Sequence, residues 1–84
     1  MEINIETSRE AKKYSLVSGA EKPHQLPRQA QYVFYAMRKI GDFATPTEIG
    51  NVAVDLGMKT KQPPSRIVQY YIPTLNKKGV ILKS

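Results

Sequence analysis

The chain has 84 residues, no cysteine, a single histidine (His24) and a formal net charge of +6. That length allows one domain with a modest core. The missing cysteines exclude disulfides and thiolate zinc sites, and one histidine removes most metal and acid–base constellations.

The longest purely aliphatic run covers residues 52–54, far short of the ~20 residues of a membrane span. The first ten residues, MEINIETSRE, are charged and lack the apolar stretch of a signal peptide. These features predict a cytoplasmic protein that is not an enzyme and has no cofactor, no metal and no membrane partner.

The charge is uneven. Residues 1–22 carry four basic and four acidic side chains and are neutral; residues 23–84 carry nine basic and three acidic ones, 9 − 3 = +6. A basic domain suggests a polyanionic partner, most often nucleic acid, against the alternative of a surface tuned for solubility.

Residues 1–24 read as a flexible arm. Ile3 and Ile5 alternate with polar residues, as do Tyr14 and Leu16, and either pair can mark a short strand. SGAEKPHQLP, residues 18–27, holds a glycine and two prolines and reads as a linker.

A first helix is expected over residues 27–40, with Pro27 in the first helical position. Ala30, Val33, Phe34, Met37 and Ile40 form an apolar stripe at helical spacing, and Gly41 stands at the stop position. Tyr32 and Tyr35 lie off that stripe. They flank the core or face a partner. In the connector 42–44, Phe43 is expected to point inward.

Thr45-Pro46-Thr47-Glu48 is the clearest helix start in the chain. Thr45 can cap the backbone, Pro46 suits the first turn and Glu48 can reach back to the cap. Ile49, Val52, Ala53 and Leu56 continue on one face, and Gly57 ends the helix. Gly50 inside it costs roughly 1 kcal/mol relative to alanine. Either a neighbouring helix comes close there or the glycine is a tolerated defect.

Residues 58–62, MKTKQ, form a polar, basic connection to a third helix that starts at Pro63-Pro64. Ile67, Val68, Tyr71, Ile72 and Leu75 share one face of this helix. Ser65, Arg66, Gln69, Tyr70, Asn76 and Lys77 occupy the other. Pro73 removes the hydrogen bond to the carbonyl of Gln69, so a kink or a restart is expected there. Gly79 closes the helix, and Val80, Ile81 and Leu82 read as a strand. No Asp or Glu occurs from Gly57 onward, whereas Lys59, Lys61, Arg66, Lys77, Lys78 and Lys83 do.

Leu75-Asn76-Lys77-Lys78-Gly79-Val80-Ile81 resembles the L-x-x-x-G-x-I junction between recognition helix and wing in winged helix-turn-helix proteins. Thr45 to Ile49, TPTEI, is similar to that family's opening of the second helix. The resemblance covers residues 27–82. It implies a mainly α fold with a small β element: a three-helix winged helix-turn-helix domain over residues 25–84 with a truncated wing. The second helix is a turn longer than usual, the link from Gly57 to Ile67 is long, and the sequence ends after the first wing strand. That strand could pair with residues 42–44, with a strand around Ile3 and Ile5, or with a strand from a partner chain.

In this family the third helix lies in the major groove of double-stranded DNA with its N-terminal residues on base edges. By position, the resemblance assigns Ser65, Arg66, Gln69 and Tyr70 to the bases. Arginine can grip guanine with two donors, and glutamine can pair with adenine. Lys59, Thr60 and Lys61 would reach phosphates, and Gln62 completes the set before the helix. Lys77, Lys78 and Lys83 are placed for backbone contact near the junction. The function implied is a small sequence-specific DNA-binding regulator. Such regulators commonly dimerise to meet two half-sites, here through the first helix or the arm. The competing reading is a winged-helix module for a protein partner, with Tyr32, Tyr35 and Tyr70 as contacts. An RNA duplex is a third possible ligand.

Overall fold

The computed structural model describes residues 12–84. In chain order these form strand β1 (Tyr14–Leu16), helix α1 (Arg28–Ile40), helix α2 (Pro46–Asp55), helix α3 (Pro64–Lys77) and strand β2 (Ile81–Lys83). The layout is mainly α with a small antiparallel sheet, arranged as in a winged helix whose wing is reduced.

α1 follows from its stripe. Ala30, Val33, Phe34 and Met37 are buried, Ile40 is half-buried, and Ala36 joins them. Pro27 stands just outside the helix, with φ −54° and ψ 154°. Gly41 ends it with φ 73°, a left-handed turn that favours glycine, and its N–H donates to the Met37 carbonyl at 3.0 Å.

α2 opens on a complete capping box. The Glu48 N–H donates to Thr45 Oγ1 at 3.2 Å, and the Thr45 N–H donates to Glu48 Oε1 at 2.9 Å. Two otherwise orphaned donors are thus satisfied. Thr45→Ala is expected to lower stability by about 1 kcal/mol, or roughly 5 °C in the melting temperature of a domain this size. Thermal denaturation followed by circular dichroism measures it. Thr45→Ser, which keeps the capping hydroxyl, should avoid most of that loss.

α2 and α3 end by the same device. The Met58 N–H returns to the Ala53 carbonyl and the Gly57 N–H to Val54, both at 2.9 Å. After α3, the Val80 N–H returns to Leu75 at 3.5 Å and the Gly79 N–H to Asn76 at 3.0 Å. Each is a Schellman turn with a glycine at positive φ and an apolar residue folding back onto the helix. Met58 is 3 % exposed. The 58–62 connection is therefore polar only after its first residue. Leu56, expected on the buried face of α2, is 38 % exposed, whereas Met58 belongs to the core.

The strand after Gly79 pairs with the chain's own N-terminal segment. Tyr14 lies opposite Lys83, Ser15 opposite Leu82 and Leu16 opposite Ile81. On the other side of β1, Tyr14 exchanges both backbone hydrogen bonds with Ala44, at 2.9 and 3.0 Å. β1 therefore stands between residue 44 and β2. Of the three partners expected for β2, residues 42–44 bond to β1 instead, and the strand considered at Ile3 and Ile5 lies outside the described residues. The bridge also corrects the expectation for Phe43. Successive residues in extended backbone face opposite sides, and the bridge turns Ala44 into the core at 2 % exposure. Phe43 is turned out, at 39 %.

The core gathers Phe34, Met37, Val33, Ile49, Val68 and Leu75, all fully enclosed. Burying a side chain of this size contributes about 1.5–3 kcal/mol. α3 runs unbroken through Pro73, so the expected restart does not occur. Pro73 lies on the solvent side, where water can serve the carbonyl that its ring leaves without a donor. Among the described residues, no helix is long and apolar enough to cross a membrane.

Candidate nucleic-acid interface

Three contacts shape the connector before α3. Met58 is anchored in the core. Gln29 Nε2 of α1 donates to the Lys59 carbonyl at 3.1 Å. Thr60 Oγ1 accepts the Gln62 N–H at 3.0 Å and donates to the Gln62 carbonyl at 3.2 Å. A hydroxyl closing on backbone two residues away fixes a tight turn. Lys59 and Lys61 are therefore held on a short, defined segment with their side chains exposed.

Pro63 precedes α3 and Pro64 is its first residue. The Arg66 and Ile67 N–H groups both donate to the Pro63 carbonyl, at 2.9 and 3.4 Å. A helix N-terminus ordinarily offers four free donors to an anion. Here Pro63 and Pro64 have none, and the Arg66 N–H is occupied by the Pro63 carbonyl. An anion at this end would depend on side chains more than on the backbone.

Ile67, Val68, Ile72 and Leu75 are buried and Tyr71 is half-buried, as the periodicity predicts. Arg66, Gln69, Tyr70, Pro73 and Lys77 are exposed. Their spacings of three, four, seven and eleven from Arg66 align them in one ridge. At 1.5 Å per residue the ridge is about 16 Å long, or roughly five base-pair steps of 3.4 Å. A helix about 10–12 Å across matches a major groove about 12 Å wide.

A shallow depression of about 540 Å³ lies beside the N-terminal half of this ridge. Thr60, Lys61, Gln62, Arg66 and Tyr70 line it, together with Gln29, Ile67 and Tyr71. Tyr70 is 72 % exposed, and its ring meets Tyr71 edge to face at 4.9 Å and 86°. The ring is braced before any ligand arrives. A second depression, of about 330 Å³, adjoins the first through Gln29 and is lined by Arg28, Tyr32, Gly57 and Lys59. Neither is lined by a carboxylate. Asp42 accepts the Phe43 N–H at 2.7 Å, and Glu48 is held in the capping box.

Of the eleven residues expected to meet DNA, five converge on the first depression and Lys59 lines its neighbour. Gln69 is exposed on the ridge itself, and Ser65 is half-buried beside it. Lys77 and Lys78 stand apart at the far end of α3, and Lys83 lies on β2. Sequence reasoning missed Arg28 and Gln29, and placed Tyr71 only in the core. The Gln29–Lys59 contact joins residues 30 apart in sequence, and no local pattern signals it. Among the described residues, no group of three or more His, Asp or Glu side chains gathers to hold a metal ion.

Comparison with protein-family models, with curated proteins and with solved structures gives no match.

Proposed function

We propose that this chain binds double-stranded DNA sequence-specifically, with the exposed ridge of α3 in the major groove, and acts as a transcriptional regulator. The observation that carries this reading is the convergence of Lys61, Gln62, Arg66 and Tyr70 beside the ridge, in a depression without a carboxylate. Arg66 and Gln69 are the base-reading side chains. Lys59, Thr60 and Lys61 hold the phosphate backbone on one flank, and Lys77 holds it at the far end of the helix. Lys61, Arg66, Gln29 and Gln62 share the depression with Tyr70 and supply donors for phosphates and base edges.

Arg66→Ala tests the assignment against Lys83→Ala. Losing a two-donor contact to guanine costs roughly 2 kcal/mol, a thirtyfold loss of affinity. A preferred duplex is first selected from a random library, and fluorescence anisotropy then measures each variant on it. Arg66→Ala is expected to lose about thirtyfold and Lys83→Ala far less. Equal losses would mean that α3 does not read bases.

A further inference from the structure

The cationic surface does not end at α3. A third depression, of about 210 Å³, continues from the second through Arg28 and Tyr32 and is lined also by Gln31 and Tyr35. Together the three make one track from Tyr70 across the connector and along the outer face of α1. Tyr35 is 40 % exposed. The Lys22 ammonium lies over one face of its ring, 5.5 Å from the centroid, and Phe34 meets it in a T-shaped contact at 5.9 Å and 75°. Arg28, Lys59 and Lys61 mark the rest of the track, and no carboxylate lines it.

The composition of the α1 part of the track, Arg28, Tyr32 and Tyr35 with Lys59, differs from what a duplex needs. Paired bases are already stacked on one another and offer their edges, not their faces. Aromatic rings interleaved with cations are the arrangement that holds unpaired nucleotides, because every base has a face to stack and every nucleotide a phosphate. From Arg28 to Tyr35 the helix advances about 10 Å, room for two or three nucleotides at a stacked spacing of about 3.4 Å. The track runs directly into the surface assigned to the duplex.

We infer that the α1 face takes a short single-stranded extension of the DNA whose duplex part lies on α3, with an unpaired base stacked on Tyr35 and its phosphates on Arg28 and Lys59. The preferred ligand is thus a duplex with a tail. This inference rests on the duplex reading above.

Anisotropy with three ligands tests it: a blunt duplex, the same duplex with a three-nucleotide 3′ tail, and the same with a 5′ tail. Stacking one base on an aromatic ring is worth roughly five- to hundredfold in affinity. One of the two tails is expected to bind about tenfold more tightly than the blunt end. Tyr35→Leu should abolish that gain without changing the affinity for the blunt duplex, and Tyr35→Phe should keep it. In the wild-type protein, 2-aminopurine placed in the tail should lose fluorescence on binding. Three results would overturn the inference: no gain from either tail, a gain that survives Tyr35→Leu, or unchanged 2-aminopurine fluorescence in a bound tail. Failure to bind any of the three ligands would bring down the duplex reading with it.

Discussion

Gly50→Ala should destabilise the domain by about 1–2 kcal/mol, although alanine is the better helix former. Gly50 is buried inside α2. A Cβ built there would lie 2.8 Å from both the carbonyl carbon and Cβ of Pro64, and 3.0 Å from its carbonyl oxygen. The obstacle is the first residue of α3, largely its backbone, so no flexible side chain can swing aside. Overpacking costs about 1–3 kcal/mol, and contacts this short against backbone put the cost in the upper part of that range, about 2–3 kcal/mol, which outweighs the roughly 1 kcal/mol that helix propensity returns. Thermal unfolding should show a melting temperature lower by about 10 °C. Asn51→Ala, on the exposed side of the same helix, should show no such loss. If Gly50→Ala stabilised the protein as much as propensity predicts, the close approach of α2 and α3 would be wrong. The effect should reach function as well. Pro64 lies two residues before Arg66, so pushing α3 outward moves the ridge relative to the connector that carries Lys59 and Lys61.

Most of the helical frame was legible because its signals are local. Thr45-Pro46-Thr47-Glu48 specifies a capping box by side-chain reach alone. Gly41, Gly57 and Gly79 mark stops, and all three take positive φ. The apolar stripes of α1 and α3 place their own buried faces. Gly50 could be read as a helix–helix contact, because a glycine in a helix interior needs a reason beyond propensity.

The errors cluster where a non-local contact decides. Phe43 and Ala44 are both apolar, and which one faces inward depends on the bridge between Ala44 and Tyr14, 30 residues apart. Of Leu56 and Met58, only Met58 enters the core. A helical wheel favours Leu56, but the left-handed turn at Gly57 (φ 117°) delivers Met58 instead. The apolar residue just after Leu56-Gly57 was a usable signal, hidden by its basic neighbours. β1 is three residues long, too short for alternation to separate it from the run at Ile3 and Ile5.

The same division holds for the candidate site. The ridge of α3 follows from periodicity, so Arg66, Gln69, Tyr70 and Lys77 could be placed on it from sequence. The contribution of α1 could not. Arg28 and Gln29 stand beside the connector only because α1 packs there, with Gln29 holding the Lys59 carbonyl.

The central claim is that the basic surface around α3 docks on the phosphates of a duplex. Each phosphate neutralised releases a condensed counterion, so the logarithm of affinity falls linearly with the logarithm of salt, with a slope of about −0.9 per contact. Lys59, Lys61 and Lys77, the cations assigned to phosphates, are all exposed. Three such contacts give a slope of about −2.7 and roughly fortyfold weaker binding at 200 mM salt than at 50 mM. Fluorescence anisotropy of a labelled duplex, titrated across that range, measures the slope directly. A slope of this size is the expected result. No binding at the lowest salt, or an affinity indifferent to salt, would contradict the claim.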